Sequence, residues 1–344
     1  MINKILITLL IILTFIGCDK KETTDNIVIG AILPLTGNAS QIGQWQKKGI
    51  ELAISEINSH NDRKIEVIFK DSMSSPKNGI LAYRNLIENN QIKTVISSLT
   101  SVSSAIQSSS EKDKKELIML AVSHPTITND KKYSIRFNLG SEDESFKLAE
   151  YLKKENYKSV CNIYINNDFG LMASNSLENN YKNVILKNAY SPKDTDFRTL
   201  SKKIIDTKCE AVNVIGYTSA SILLIKQLHE QGAKQHIFTN MALSIPSFQK
   251  LGGESLKNVR YTATEFENKI NLKSNDFIVN YKNIYHENPT FFASFSYDAL
   301  NFIYKNKIKN IPLTTNHIYN YDGSIGKIEI KQGKLKTNVS INKF

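Results

Sequence analysis

Thr94-Val95-Ile96-Ser97-Ser98-Leu99-Thr100-Ser101-Val102-Ser103-Ser104-Ala105-Ile106 is the stretch whose reading decides the fold. Val95 and Ile96 read as the end of a buried strand, and the residues beyond Leu99 can wind into a helix. A strand that delivers hydroxyls to a helix start makes a place for an anion or a carboxylate. Backbone N–H groups without intrahelical partners and the helix dipole both point at it. The same serines also suit plain capping in a polar turn. The neighbours of the stretch decide between the two.

Upstream, residues 27–33 form an unbroken apolar run, as in a parallel strand covered on both faces. Pro34-Leu35-Thr36-Gly37 ends it, and a helix follows with Ile50, Ala53, Ile54 and Ile57 at helical spacing. Residues 65–69 are a second strand leading to Asp71. Ser75-Pro76 opens the next helix, with Ser capping and Pro at the first position. Downstream of the serines, 117–122 is a fourth strand ending in Ser123-His124-Pro125, and 133–138 a short fifth. Strand and helix alternate, so the fold class is α/β with a parallel sheet. Ligands in such sheets bind beyond the carboxyl ends of the strands. The loops at 34–43, 97–104 and 121–125 all leave from that end, and three polar loops on one rim favour the binding reading of the serines.

The alternation then repeats. Ser141-Glu142-Asp143-Glu144 has the pattern of a capping box, with Ser first and Glu three residues later. Strands follow at 160–165, 184–188, 211–215, 237–239 and 259–262. Residues 275–285 and 295–307 return to helix, and 326–330 and 339–341 look like strands. Two similar lobes are expected. The first takes 27–139 plus 264–322, and the second 140–263 plus 323–344, with a ligand cleft between them.

At 344 residues, two domains are the natural expectation. The formal net charge of +11 is spread over scattered lysines with no basic stripe interleaved with aromatics, which argues against nucleic acid. The three cysteines and six isolated histidines have no metal-ligand spacing, so neither a metal nor a cofactor is expected. Cys161 and Cys209 read most simply as buried thiols, and their pairing in an oxidising compartment stays open. No GxGxxG or P-loop pattern follows a strand, and no serine sits in a nucleophile elbow, so no enzyme is expected. Residues 5–16 are apolar behind Lys4 and too short to span a bilayer. They end at Gly17-Cys18, which reads as a secretory signal over 1–17 with a polar tether over 18–26.

Phe15-Ile16-Gly17-Cys18 resembles the lipobox of bacterial lipoproteins, with Phe15 where Leu is usual. That resemblance implies cleavage before Cys18, diacylglycerol on its thiol, and a lipid-anchored protein of the cell envelope facing the periplasm or outside. From Ile27 onward the chain resembles the solute-binding lipoproteins of ABC transporters, of the leucine/isoleucine/valine-binding type. The motifs are Ile29-Gly30 with Pro34-Leu35-Thr36-Gly37, Gln41-Ile42-Gly43, Asp71 with Pro76, and the serine turn at 99–104. Asp168-Phe169-Gly170, Gly216-Tyr217 and Tyr297-Asp298-Ala299 complete them, and it is their order along the chain that is specific. The resemblance implies two Rossmann-like lobes, three crossovers, a small-molecule solute, a membrane permease as partner and a monomeric state. It puts Ser101, with Thr100 beside it, on the ligand carboxylate, Ala121 and Ser123 after the fourth strand, and Tyr217 closing from the second lobe. Ile42, Phe169 and Met241 fall at further lining positions. Ile42 stands where an aromatic is usual. The acid that pairs the ligand ammonium falls near Ala242, where the local run offers no carboxylate. A buried ammonium without a counter-charge costs on the order of several kcal/mol. The expected ligand is therefore carboxylate-bearing or small and polar, and not an ordinary α-amino acid. The alternative is a ligand-free lipoprotein of this fold that regulates an envelope or cell-wall enzyme by protein contact.

Overall fold

The computed structural model describes residues 26–88, 92–268 and 271–344. The signal segment, the tether and Cys18 lie outside these residues. Among the described residues no helix is long and apolar enough to cross a membrane.

The first lobe is built on an eight-stranded sheet. Its parallel part runs through β1 (Ile27–Leu33), β2 (Ile65–Asp71), β3 (Thr94–Ser98), β4 (Glu116–Leu120) and β5 (Ser134–Arg136). These strands carry continuous apolar runs because helices cover both faces: β3 and β4 are buried at every position. The helices are α1 (Ser40–His60), α2 (Pro76–Ile87) and α3 (Thr100–Lys112). Ser75 stands at the N-cap of α2 with Pro76 in its first turn, as the sequence predicts, but no side-chain hydrogen bond completes the cap. The chain then enters the second lobe through α4 (Ser141–Lys154).

The second sheet has six strands. It is parallel through β6 (Val160–Ile165), β7 (Val184–Tyr190), β8 (Ala211–Ile215), β9 (His236–Thr239) and β10 (Arg260–Ala263). Between them run α5 (Asp168–Asn180), α6 (Arg198–Thr207), α7 (Ser219–Glu230), a 3-10 turn at Met241–Ser244 and α8 (Pro246–Gly252). Cys161 in β6 and Cys209 just before β8 form a disulfide. The reading of two separate thiols is thus corrected: β6 and β8 are sheet neighbours, which brings the two buried cysteines together.

The return to the first lobe is made by α9 (Glu265–Asn268), α10 (Leu272–Tyr285) and α11 (Phe291–Lys307). Gly49 lets α1 and α11 touch, since a Cβ there would sit 2.2 Å from the Ala293 carbonyl oxygen. Trp45 stacks on Phe292 with ring centroids 6.1 Å apart, so it packs helix on helix. Asp298 is buried in α11 and accepts from the N–H groups of Ser324 (2.8 Å) and Ile325 (2.9 Å) and from the Ser324 hydroxyl (3.1 Å). Burial pushes its carboxyl up to about 7 against those three bonds.

The C-terminal boundary differs from the expected one. β11 (Tyr319–Gly323), β12 (Gly326–Lys331) and β13 (Lys334–Thr337) extend the first sheet beside β5, and only β14 (Ser340–Lys343) joins the second sheet. The chain therefore crosses at 338–339 and not at 323. A tight turn at Gly326 folds β12 back on β11, and this antiparallel pairing keeps both strands in one sheet.

Three crossings join the lobes: between β5 and α4, after β10, and between β13 and β14. Charged side chains tie them together. Arg136, fully buried in β5, donates to Glu142 (2.9 Å) and reaches Asp143 (3.5 Å) in the first turn of α4. Lys336 in β13 also pairs with Asp143. Glu265 accepts from Asn271 (2.9 Å) and from Asn338 (3.0 Å), linking the second crossing to the third.

Candidate functional site

On the first lobe, Asp71 shapes the loop after β1. It accepts from Leu35 N–H (2.9 Å), Thr36 N–H (3.2 Å), the Thr36 hydroxyl (2.6 Å) and Met73 N–H (2.7 Å). Burial pushes its carboxyl up, but the four bonds together outweigh burial and hold it below the usual carboxylate range. Asp71 thus fixes the loop that leads to Ile42, which stands half-buried in the first turn of α1.

The serine stretch divides in two. Ser97 and Ser103 are buried and hydrogen-bond each other at 2.8 Å, tying the end of β3 to α3. Ser101 is exposed and Thr100 half-buried at the start of α3. Leu99 is the N-cap, and no side chain caps the helix, so no side chain satisfies its first N–H groups. Leu99 has φ +73° and Ala121 has φ +50°. Both are conformations that residues with a Cβ adopt at a cost, and such strain concentrates at working sites. The Leu99 N–H donates to the Leu120 carbonyl at 3.2 Å, holding the third and fourth loops side by side.

From there the contacts lead into the second lobe. The Ser123 carbonyl accepts from the N–H of Ser141 at 3.2 Å. One turn along α4, Glu144 accepts from the N–H of Met241 at 2.8 Å and from the Thr262 hydroxyl. Next to Met241, Asn240 accepts from Gly216 N–H at 2.9 Å, and Tyr217 follows. Asn167 donates to the Tyr217 hydroxyl at 2.9 Å, and Phe169 meets Tyr217 edge to face with centroids 5.6 Å apart. Tyr217 is 44% exposed. Bonds thus link Ser123 to the start of α4, α4 to Met241, and Asn240 beside Met241 to the turn that carries Tyr217, which Phe169 meets. Thr100 and Ala121 are the chain neighbours of Leu99 and Leu120, which hydrogen-bond each other, and Ser101 follows Thr100. Ile42 stands on the same rim but brings no polar group.

One local expectation shifts, and one cap is newly seen. The N-cap of α4 is Gly140, whose N–H donates to Asp143 at 2.9 Å, so Ser141 is the first helical residue. Asn167, not Asp168, caps α5, accepting from Gly170 N–H at 3.0 Å.

The residue that sequence reasoning missed is Glu144. Glu144 lies 97 residues before Met241, outside the run around Ala242 where the resemblance places an acid. Its reading as half of a capping box hid its true partners. The run at Met241–Leu243 itself holds no carboxylate, and Glu144 is bonded to it from another element. Burial pushes the Glu144 carboxyl above its ordinary value, while the bonds from Met241 and Thr262 work against that shift. A cavity of about 20 Å³ lies beside it, lined among others by Ser141, Glu144, Ser145, Phe169, Asn240 and Thr262. A larger hollow of about 710 Å³ lies elsewhere, where Phe146, Lys147 and Tyr151 on the outside of α4 meet Val339 and Ile341. None of the predicted residues lines it, so its size does not make it the site. Among the described residues there is no group of three His, Cys, Asp or Glu that could hold a metal.

A family model for periplasmic binding proteins matches residues 26–305. The chain is 26% identical to the Leu/Ile/Val-binding protein BraC3 of Rhizobium johnstonii over 69% of its own length and 67% of the relative's. Among solved structures, the substrate-binding protein LivJ of Streptococcus pneumoniae in complex with isoleucine superposes with a TM-score of 0.77 at 20% identity, covering 93% of this chain and all of that one. A solute-binding protein of Rhodopseudomonas palustris in complex with 3,4-dihydroxybenzoic acid does so with a TM-score of 0.80 at 18% identity, covering 92% and 93%. At these identities the structural likenesses establish the fold alone.

Proposed function

We propose, for a chain that belongs to the periplasmic binding protein family, that it captures a small carboxylate-bearing, amino-acid-like solute outside the cytoplasm and delivers it to an ABC permease. The solutes named for two similar structures, isoleucine and 3,4-dihydroxybenzoic acid, share a carboxylate. In this reading Ser101 and the uncapped start of α3 take that carboxylate, with Thr100, Ala121 and Ser123 beside it. Phe169, Tyr217 and Met241 close on the body of the solute from the second lobe, and Ile42 gives an aliphatic wall. Cys18 carries the lipid anchor, and the protein works as a monomer. The observation that carries the reading is the exposed Ser101 hydroxyl at a helix start that no side chain caps.

Isothermal titration with a panel of amino acids and organic acids tests it. At least one acid is expected to bind, and Ser101→Ala is expected to weaken it about tenfold to a hundredfold, the worth of one hydrogen bond to a charged group. Unchanged affinity in Ser101→Ala would move the carboxylate elsewhere, and no binding by any acid would reject the reading. The alternative, a ligand-free regulator of an envelope enzyme, drew its support from a lost ammonium end. Against it stands Glu144 beside Met241, a carboxylate that the local run lacks.

A further inference from the structure

The larger hollow, of about 710 Å³, lies where α4 passes the margin of the second sheet, and none of the residues placed in the candidate site lines it. α4 buries Leu148, Ala149 and Leu152 toward that sheet. Phe146, Glu150 and Lys154, spaced four residues apart, form another face of the helix and line the hollow. Phe146 is 51% exposed. Across from them stand Val339 and Ile341, and Ile341 leans on the cluster under α4.

Among the described residues β14 is the last strand of the second sheet, with β10 on one side of it. The N–H of Phe344 donates to the Val259 carbonyl at 3.1 Å. Antiparallel pairs alternate, so Asn342 and Ser340 also turn their backbone groups toward β10. The N–H and C=O of Ile341 and Lys343 therefore point away from β10, along the open margin. Such a margin is a template for another strand. The charge beside it selects which strand. Lys147, Lys153 and Lys154 line the hollow against one acid, Glu150, which Lys147 already meets at 3.5 Å, and Lys343 adds a cation on the margin itself. A second copy of the chain would bring like charges to the same edge, which destabilises pairing. A lipid surface would meet the lysines and leave the row of backbone groups unmatched.

We propose that β14 and this hollow receive an extended, acidic segment of a partner protein, added as a further strand of the second sheet. Its backbone pairs with Ile341 and Lys343, its apolar side chains fill the hollow against Phe146 and Val339, and carboxylates at its ends meet Lys153 and Lys154. The surface is separate from the candidate solute site, and the proposal does not depend on what that site holds.

The test is fluorescence anisotropy of a labelled, capped octapeptide titrated with the full chain. The probe has alternating valines and threonines in the middle and two glutamates at each end. Saturable binding is expected. Lysines in place of its glutamates, or Lys153→Glu with Lys154→Glu in the protein, should weaken it about tenfold or more. A strand shows only alternate N–H groups to its neighbour. Of two probes N-methylated at alternate sets of middle positions, one should therefore keep its affinity and the other lose about tenfold or more. If the double variant does not fold, the N-methylated pair decides on the unaltered protein. No binding of the probe, equal binding of its lysine version, or equal binding of both N-methylated probes overturns the proposal. So does either of two results in place of peptide binding: capture by vesicles of anionic phospholipid, or a dimer, that Lys153→Glu with Lys154→Glu abolishes.

Discussion

The two lobes share an architecture and hold their rims in different ways. Around the serine stretch the first lobe relies on short-range chain geometry, with Leu99 and Ala121 at positive φ and a serine pair six residues apart, while Asp71 reaches back to Leu35 and Thr36. The second relies on side chains brought together from far along the chain. Asn167 reaches Tyr217, and Glu144 reaches Met241 and Thr262. The disulfide adds a covalent tie within the second lobe alone. A rim fixed by strain and neighbours is set once its strands form, whereas a rim fixed by distant partners depends on the whole lobe being folded.

The largest expected effect falls on the second lobe. Replacing both Cys161 and Cys209 by serine opens a cross-link between residues 48 apart, worth about 3–4 kcal/mol on the loop-entropy account. Calorimetry should show the second lobe melting earlier and the first unmoved, and equal loss in both lobes would break the contrast. A pH effect should mark the first lobe. The folded Asp298 carboxyl titrates near 7, above its unfolded value of 3.8. Its contribution is therefore fully present below about pH 4 and is lost as pH rises through 7, by at most about 1.4 kcal/mol per pH unit. Denaturant melts between pH 5 and 8 check the sign, and Asp298→Asn should flatten the slope. The smallest pair has opposite signs. Asn167→Ala removes the cap of α5 and should cost about 1 kcal/mol, while Ala121→Gly relieves a left-handed backbone and should cost nothing or gain a few tenths. If Ala121→Gly destabilised as much as Asn167→Ala, strain would not be what distinguishes the first rim.

The same contrast explains what could be read from the chain. Continuous apolar runs such as 27–33 and the spacing of Ile50, Ala53, Ile54 and Ile57 follow from local burial, so the α/β alternation was legible. The step from strand to helix within the serine stretch was legible too, because it is set by residues within a few positions of one another. Glu144 was not. Its spacing from Ser141 satisfies a local rule, and nothing nearby signals a partner 97 residues on. The cysteines gave no pairing because they lie 48 residues apart, and only the sheet pairing of β6 with β8 brings them together. The final crossing was misplaced because short strands such as 326–331 show the same alternation in either sheet, and only pairing partners assign them.

The first turn of α4 carries two duties on consecutive residues. Glu142 and Asp143 grip Arg136 and Lys336 at the junction of the lobes, and Glu144 faces the cavity. Any swing of one lobe on the other must pivot about these junctions, and a group seated beside a pivot travels only a short arc. Glu144 thus sits one or two residues from the contacts that tie the lobes together, so the wall of that cavity and the junction share a single turn of helix.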